Sequence, residues 1–500
     1  MEALHSLFSG FGSFFSDPTM IVLLTAGVLG GMIFGAIPGL TAALGVSLML
    51  PFTFHMTPDQ GICTLIGIYV GGISGGLVSA TLLNVPGTSA SMVTCFDGSP
   101  MARQGKPALA LSYGITSSLL GGVFSGIVLI FVSKKLAEVA LIFSYWEYFA
   151  MGIVGLSVVV ALCSKDILKG LIGAVIGMLL TTVGVDKLDG IARFTFGFYQ
   201  LDNGLTELAT IMGIFVIPEV FSQIQKIGQK TDKIEVDKKA SVKPTFSMFK
   251  GCGKLLAISS VIGTVIGIIP GVGQSTASLI AYNQARSMSK HPEEFGHGSR
   301  EGIIASETAN NAVCGGALIP MLVMGIPGDM VTSLLLGGLT IHGLSAGPLL
   351  FSKQPELIGN IYVSYMVGCV IMFVLFLLLM RFFIRVIDIP MNFLLPLIML
   401  MCVIGTMTSN NRVFDSWVFL AIGVLAAVLL NCGISLPSVV LGYVLGSMVE
   451  SNFRKGVIAN RGSVLSMFHH PIAVVLLIIA ALLVVLPLIK SRKSHKHSDT

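Results

Sequence analysis

Charge is what this chain has least of. Only 11% of its 500 residues are Asp, Glu, Lys or Arg, against 54% hydrophobic ones, where a soluble domain carries about 25% charged residues. That scarcity excludes a water-soluble fold, because no core of this size hides so many long apolar runs. Paired cysteines are missing too. The eight Cys (63, 95, 163, 252, 314, 369, 402 and 432) lie singly, with no C-x-x-C, which reads as small buried side chains and not as a disulfide framework or zinc site. There is no H-E-x-x-H or G-x-x-x-x-G-K-[ST], so zinc-dependent hydrolysis and ATP-driven chemistry have no visible residues. The opening MEALHSLFSGFGSFFSDP has Glu2 and no basic segment, so a cleaved signal peptide is not expected.

What is present is apolar length. The stretches 19–36, 61–83, 111–132, 150–163, 205–221, 254–269, 357–380, 392–408, 413–430 and 471–489 approach the roughly 17–25 residues a bilayer span needs. The expected fold class is an all-α polytopic membrane protein of roughly 10–12 spans. The few charges are unevenly placed. Residues 222–250 hold seven Lys against three acids, and the tail from Lys490 holds four basic residues against Asp499, together more than the +5 of the whole chain. A basic linker and a basic tail beside spans predict that both face the cytoplasm. A nucleic-acid partner is not expected, since the basic segments are short and lack interleaved aromatics.

The polar stretch QIQKIGQKTDKIEVDKKASVKPTFSMFKGCGK divides the chain, and similar segments recur across it. GAIPGLTAALG at 35–45 resembles GIIPGVGQSTA at 267–277, an offset of 232; SGGLVSATLLNVPGT at 74–88 resembles GGALIPMLVMGIPGD at 315–329, an offset of 241. The expected organisation is a first transmembrane repeat (1–222), a cytoplasmic basic linker (223–250), a second repeat (251–465), then a last span with its basic tail (466–500). With an outside N-terminus and a cytoplasmic linker, the first half crosses an odd number of times, which permits an inverted repeat. Sequence similarity alone leaves parallel and inverted arrangements open.

Each half carries two Pro-Gly pairs, at 38–39 and 86–87, and at 270–271 and 327–328. Pro is excluded from helix interiors and Gly is penalised there, so four spans are expected to break. Inside a bilayer, non-helical backbone survives only against protein or a water-filled cavity. A broken helix offers N–H groups at one new end, suited to anions, and carbonyls at the other, suited to cations, the arrangement of ion-coupled carriers. Thr41, Thr88, Ser89, Ser91, Gln274, Ser275, Thr276 and Ser278 follow the breaks, and neutral donors of this kind bind carboxylates without a buried cation. Helix packing is the competing role for any one hydroxyl.

SETANNAVCGGALIP at 306–320 is the densest polar cluster in an apolar setting. Glu307, Asn310 and Asn311 fall at i, i+3 and i+4, on one helical face. A carboxylate with amide oxygens suits a hard cation such as Na⁺; capping or interhelical hydrogen bonding is the alternative. Asp329, directly after GIPG, caps the next half-helix or binds a cation or proton. Asp97 stands near Arg103 and Lys106, which anchor a span end or lead an anion in.

Three long motifs then carry a family resemblance: GAIPGLTAALGVSLMLPFTF, LLNVPGTSASMVTCFDGSPMARQGKPALAL and EGIIASETANNAVCGGALIPMLVMGIPGD. They resemble the large membrane subunit of the bacterial tripartite tricarboxylate transporters, over roughly residues 19–440. The resemblance implies secondary active uptake of organic anions, typically di- and tricarboxylates such as citrate, with no cofactor and most often Na⁺ as coupling ion. It implies two partners, a small four-span membrane subunit and an extracytoplasmic solute-binding protein, and a place in the bacterial inner membrane. Pro86, Gly87, Gly271 and Gly328 join the polar residues above as expected substrate-binding elements, and Asn310, Asn311 and Glu307 as expected Na⁺ ligands. Two rivals are weighed against this. One is a carboxylate carrier working alone; the other is an intramembrane aspartyl protease built on Asp97 and Asp329, which needs two carboxylates sharing a proton.

Overall fold

The structure, a computed structural model, describes residues 2–86, 88–163, 167–186, 188–226, 246–386, 391–409 and 411–498. In chain order the helices are α1 (Glu2–Ser16), α2 (Pro18–Ala36), α3 (Ala42–Thr53), α4 (Pro58–Leu83), α5 (Cys95–Arg103), α6 (Pro107–Ala140), α7 (Tyr145–Cys163), α8 (Ile167–Thr181), α9 (Glu207–Lys226) and α10 (Gly253–Ile268). They continue as α11 (Gly273–Met288), α12 (Arg300–Met324), α13 (Met330–Ile341), α14 (Pro348–Lys353), α15 (Pro355–Val386), α16 (Met391–Ser409), α17 (Val413–Asn431), α18 (Leu436–Ala459) and α19 (Pro471–Ser498). A two-residue antiparallel ladder, β1 (Gly184–Val185) with β2 (Ala192–Arg193), is the only sheet among the described residues. Pro18, Pro58, Pro107, Pro355 and Pro471 each open a helix, where a missing N–H breaks no intrahelical bond.

Every stretch expected to span is helical, and the fold is all-α and polytopic. Among the described residues, six helices are long and apolar enough to cross a membrane: Pro18–Ala36, Pro58–Leu83, Pro107–Ala140, Glu207–Gln225, Pro355–Phe383 and Val413–Asn431. Shorter apolar helices accompany them, α3, α8, α10 and α13 among these. The sequence reading passes over α8, which is only 15 residues long, and α18, whose apolar run is interrupted by Glu450, Arg454 and Lys455. Cys63, Cys95, Cys252, Cys314, Cys369 and Cys402 are buried and unpaired as expected, whereas Cys432 is exposed. The basic linker expected at 223–250 lies largely outside the described residues.

By its contacts the chain forms two compact units. The first comprises Met1–Ala137, Glu219–Ile268 and Gly273–Ser409; the second comprises Glu138–Pro218, Ile269–Val272 and Asn410–Thr500. In the second, α18 packs on α7 and α8, with Gly177 against the Val439 carbonyl and Gly442 against that of Ala174. Trp146 is buried beside Phe149 and Phe453. Asp186, in the segment between α8 and α9, pairs with Arg193 (3.1 Å) and with Arg454, which also holds Asp189.

The first unit is organised by two long buried helices, α4 and α12. Residues 61–83 of α4 and 302–323 of α12 are all buried. α2 lies along α4 and α10 along α12, and small residues let the backbones approach closely. In the first pair, the Ile68 carbonyl occupies the place a Cβ on Gly31 would take, the Gly72 carbonyl that of Gly35, and the Met32 carbonyl that of Gly75. In the second, the Ala309 carbonyl fills the same place at Gly263, that of Val313 at Gly267, and that of Thr264 at Gly316. Each residue in the second set is its counterpart in the first displaced by the sequence offsets of 232 or 241.

Candidate functional site

The four Pro-Gly segments are helix breaks, as expected. α2 ends at Ala36 and α3 begins at Ala42; α10 ends at Ile268 and α11 begins at Gly273. α4 ends at Leu83, before a short 3₁₀ turn at Ser89–Met92, and α12 ends at Met324, before α13. Gly39 (φ 84°) and Gly271 (φ 75°) turn the chain in the left-handed region, which only Gly enters without strain. Gly328 is needed for a different reason: a Cβ there would collide with the Gly267 carbonyl and with Ala317.

Within the first unit, several breaks meet one face of α4. Tyr69, Gly72 and Gly76 are three and four residues apart, hence on one face. The Tyr69 hydroxyl donates to Asp329, which follows the fourth break. Gly72 abuts Ala42, the first residue of α3, and Gly76 abuts the Thr88 and Ser91 hydroxyls after the second break. Gln274, in the first turn of α11, donates to the same Asp329 oxygen as Tyr69. From Tyr69 to Gly76 is about 10 Å along the helix at 1.5 Å per residue, so these elements share one neighbourhood.

Of the expected substrate-binding residues, Thr88 is buried, and its backbone N–H donates to Ser91 Oγ (3.3 Å) while Ser91 Oγ donates to the Thr88 carbonyl (3.0 Å). Pro86 is half-buried; Gly87 and the Ser89 side chain lie outside the described residues. Thr41 has a local task, its hydroxyl capping α3 by accepting from the Leu44 N–H (3.1 Å). Ser275 and Thr276 are half-buried in the first turn of α11. Ser278 Oγ donates to the Ser306 carbonyl (3.2 Å).

The expected cation ligands sit together on α12. Glu307 is fully buried; it accepts from Thr94 Oγ1 (2.5 Å) and Ser118 Oγ (3.0 Å), with Asn311 Nδ2 at 3.5 Å. Asn311 Oδ1 accepts from Ser74 Oγ of α4 (2.7 Å), and its carbonyl accepts from the Tyr365 hydroxyl (3.4 Å). Asn310 is different. It is fully buried beside Glu307, and the carboxylate is the partner its amide faces. Elsewhere, among the described residues, no three His, Cys, Asp or Glu gather as for a transition metal.

Asp329 is the N-cap of α13. Its Oδ1 accepts from the Thr332 N–H (2.7 Å) and Thr332 Oγ1 (2.8 Å), and its Oδ2 from Tyr69 and Gln274. Asp97 instead ties down the loop before α12: its Oδ1 accepts from the N–H groups of Gly296 (2.9 Å), Gly298 (2.9 Å) and Ser299 (2.8 Å). Asp97 lies against Tyr282 and Asp329 against Gln274, positions about 12 Å apart along α11. The carboxylate dyad of the protease rival is therefore not assembled.

Sequence reasoning missed Tyr69, Ser74, Thr94, Ser118 and Thr332, all of which hold the key side chains. A lone phenol or hydroxyl within an apolar helix carries little local signal; its partners lie as far as 260 residues away.

A family model described as the "Tripartite tricarboxylate transporter TctA family" matches residues 21–441, which include all four breaks and the whole of α12. The chain belongs to this family. It is thus a multi-pass membrane component of a transporter whose family forms the large subunit of tripartite assemblies. Among relatives of this TctA-family protein, the "Uncharacterized 52.8 kDa protein in TAR-I ttuC' 3'region" of Agrobacterium vitis is 34% identical over 99% of this chain and 98% of its own length. The "Uncharacterized protein in TAR-II ttuC' 3'region" of the same organism is 34% identical over 46% of this chain and 97% of its own. No solved structure matches.

Proposed function

We propose that this TctA-family protein carries organic anions of the di- or tricarboxylate class, such as citrate, across the bacterial cytoplasmic membrane together with sodium ions. It does so as the large subunit beside a small four-span membrane subunit, fed by an extracytoplasmic solute-binding protein. The sign of the buried charge carries the coupling. Among the described residues, every charged side chain that is buried is acidic: Asp97, Glu147, Asp186, Glu307, Asp329 and Asp415. Glu307 and Asp329 have no ion-pair partner among the described residues. An anion brought beside such carboxylates meets repulsion of about 4 kcal/mol per pair at 4 Å and an effective dielectric of 20. A cation entering with it removes that cost, which is the physical basis of symport here.

Glu307, Asn310 and Asn311 supply hard oxygen ligands of the kind sodium accepts. The anion binds at the breaks of the first unit, through Thr88, Ser89 and the backbone around Pro86, Gly87 and Gly328, with Thr41, Ser275 and Thr276 close by in the chain. Gln274 takes part indirectly, since its amide is engaged by Asp329. Asn310 joins the two ligands, because one amide offers an oxygen to the cation and an N–H to the carboxylate. The recurring glycine approaches support descent of both halves from one unit.

Uptake of labelled carboxylates into proteoliposomes tests this reading, with and without an inward sodium gradient and the binding protein. Uptake that needs both is expected. Uptake indifferent to sodium refutes the coupling, and full uptake without partners favours the stand-alone carrier.

A further inference from the structure

The two halves place different chemistry at matching positions. The offset that carries Pro86-Gly87 to Pro327-Gly328 also carries Thr88 to Asp329 and Ser91 to Thr332. The local geometry matches as well. Thr88 N–H donates to Ser91 Oγ (3.3 Å) and Ser91 Oγ to the Thr88 carbonyl (3.0 Å); Asp329 N–H donates to Thr332 Oγ1 (2.9 Å) and Thr332 Oγ1 to the Asp329 carbonyl (2.9 Å). The same offset carries Tyr69 to Asn310, and the offset of 232 carries Ala42 to Gln274.

In the second half, the Asp329 carboxylate is surrounded by donors from three helices: the Tyr69 hydroxyl, the Gln274 amide, and the Thr332 N–H and hydroxyl. Asp329 is 4% exposed and has no cation beside it among the described residues, so the cage holds a carboxylate by hydrogen bonds alone. In the first half, the residue in Asp329's place is neutral Thr88. The counterpart of Tyr69 is Asn310, a buried amide that faces the Glu307 carboxylate. One position therefore carries a carboxylate held by hydrogen bonds alone; its mate, Thr88, carries a neutral hydroxyl.

We infer that Asp329 is a built-in ligand: its carboxylate permanently fills the carboxylate subsite of the second half and leaves the mate, at Thr88 and Ser91, as the subsite open to the transported anion. Asp329 thereby fixes how many carboxylates the cargo must bring. This rests on the anion-carrying reading above, but the pocket can be tested without transport.

The test replaces the carboxylate with the residue its mate carries. Asp329→Thr keeps an N-cap hydroxyl; Asp329→Gly, which also preserves N-capping, serves if the first variant does not fold. Thermal unfolding of the purified full chain is followed in sodium acetate against equal sodium chloride. The vacated cage is expected to bind acetate, so the acetate-dependent rise in midpoint exceeds that of the unsubstituted protein by about 2 °C or more. Adding Gln274→Ala to the variant is expected to abolish the excess. A variant whose shift equals that of the unsubstituted protein, or an excess that survives Gln274→Ala, overturns the inference. Failure of the unsubstituted protein to carry any carboxylate sinks the transport reading and leaves this measurement standing.

Discussion

Replacing Glu307 by Gln separates a cation ligand from a structural hydrogen-bond hub. The structure predicts that the variant folds. A Gln Oε1 keeps the bond from Thr94 Oγ1 (2.5 Å), and a Gln Nε2 donates to Ser118 Oγ, whose own proton already has an acceptor in the Gly114 carbonyl (3.0 Å). The lost charge assistance is worth about 1 kcal/mol per bond, the difference between charged and neutral hydrogen bonds. Against this, the variant no longer buries an uncompensated charge, a penalty of several kcal/mol in proteins. Without sodium, stability is therefore equal to or above that of the unsubstituted protein. Sodium affinity should fall at least about 100-fold, since even outer-shell changes cost 10–100-fold; that is about 2.7 kcal/mol. The assay is the half-saturating sodium concentration, read both from uptake in proteoliposomes with the partner subunits and from thermal shift of the purified chain. A Gln variant with unchanged half-saturating sodium would falsify the ligand role.

Asn310→Ala should raise the half-saturating sodium concentration for uptake; a stability loss above about 2 kcal/mol with normal sodium affinity would show a structural amide instead. Gly35→Val and Gly267→Val should each destabilise by about 1–3 kcal/mol or more through overpacking, because a carbonyl occupies the Cβ position at both. Tolerance at one and collapse at the other, measured by thermal unfolding, would break the equivalence of the two helix pairs. In the second unit, the backbone N–H of Leu188, with help from Asp189, Arg454 and Arg193, holds the Asp186 carboxyl below the usual carboxylate range. Its contribution to stability is thus complete above about pH 4, the unfolded value, and fades as pH falls through the lower folded one. Asp186→Asn should lower the unfolding midpoint at pH 7, with the gap to the unsubstituted protein closing toward pH 2; a gap independent of pH would remove the ionic explanation.

The breaks and most spans were legible in the sequence because their causes are local. Pro and Gly interrupt a helix through their own backbone, and an apolar run declares itself by length. Glu307, Asn310 and Asn311 were legible for the same reason, being three polar residues in one apolar stretch. Their surroundings were not. That Ser74 serves Asn311, Thr94 and Ser118 serve Glu307, and Tyr69 serves Asp329 depends on how α4, α5, α6 and α12 meet, and no spacing within any one helix records it. Thr41 and Gln274 also have partners that spacing does not record: one caps its own helix and the other donates to Asp329. The division into compact units was equally hidden, since each unit draws segments from both sides of the basic linker.

A duplicated unit would be expected to yield two like sites, and the helix backbones do follow that symmetry at Gly31 and Gly263, Gly35 and Gly267, Gly75 and Gly316. The side chains depart from it at three matched positions. Tyr69 opposes Asn310, Ala42 opposes Gln274, and Thr88 opposes Asp329. Backbone equivalence fixes a common scaffold, because each small residue is held in place by a carbonyl that leaves no room for a Cβ. Substitution at the pocket is free of that constraint: Asp329 of the second half is met by Gln274 and Thr332 of its own half and by Tyr69 of the first. Binding energy for an external carboxylate is available only where the protein has not already supplied one, so on the reading proposed above the difference between Asp329 and Thr88 leaves the Thr88 side as the open subsite.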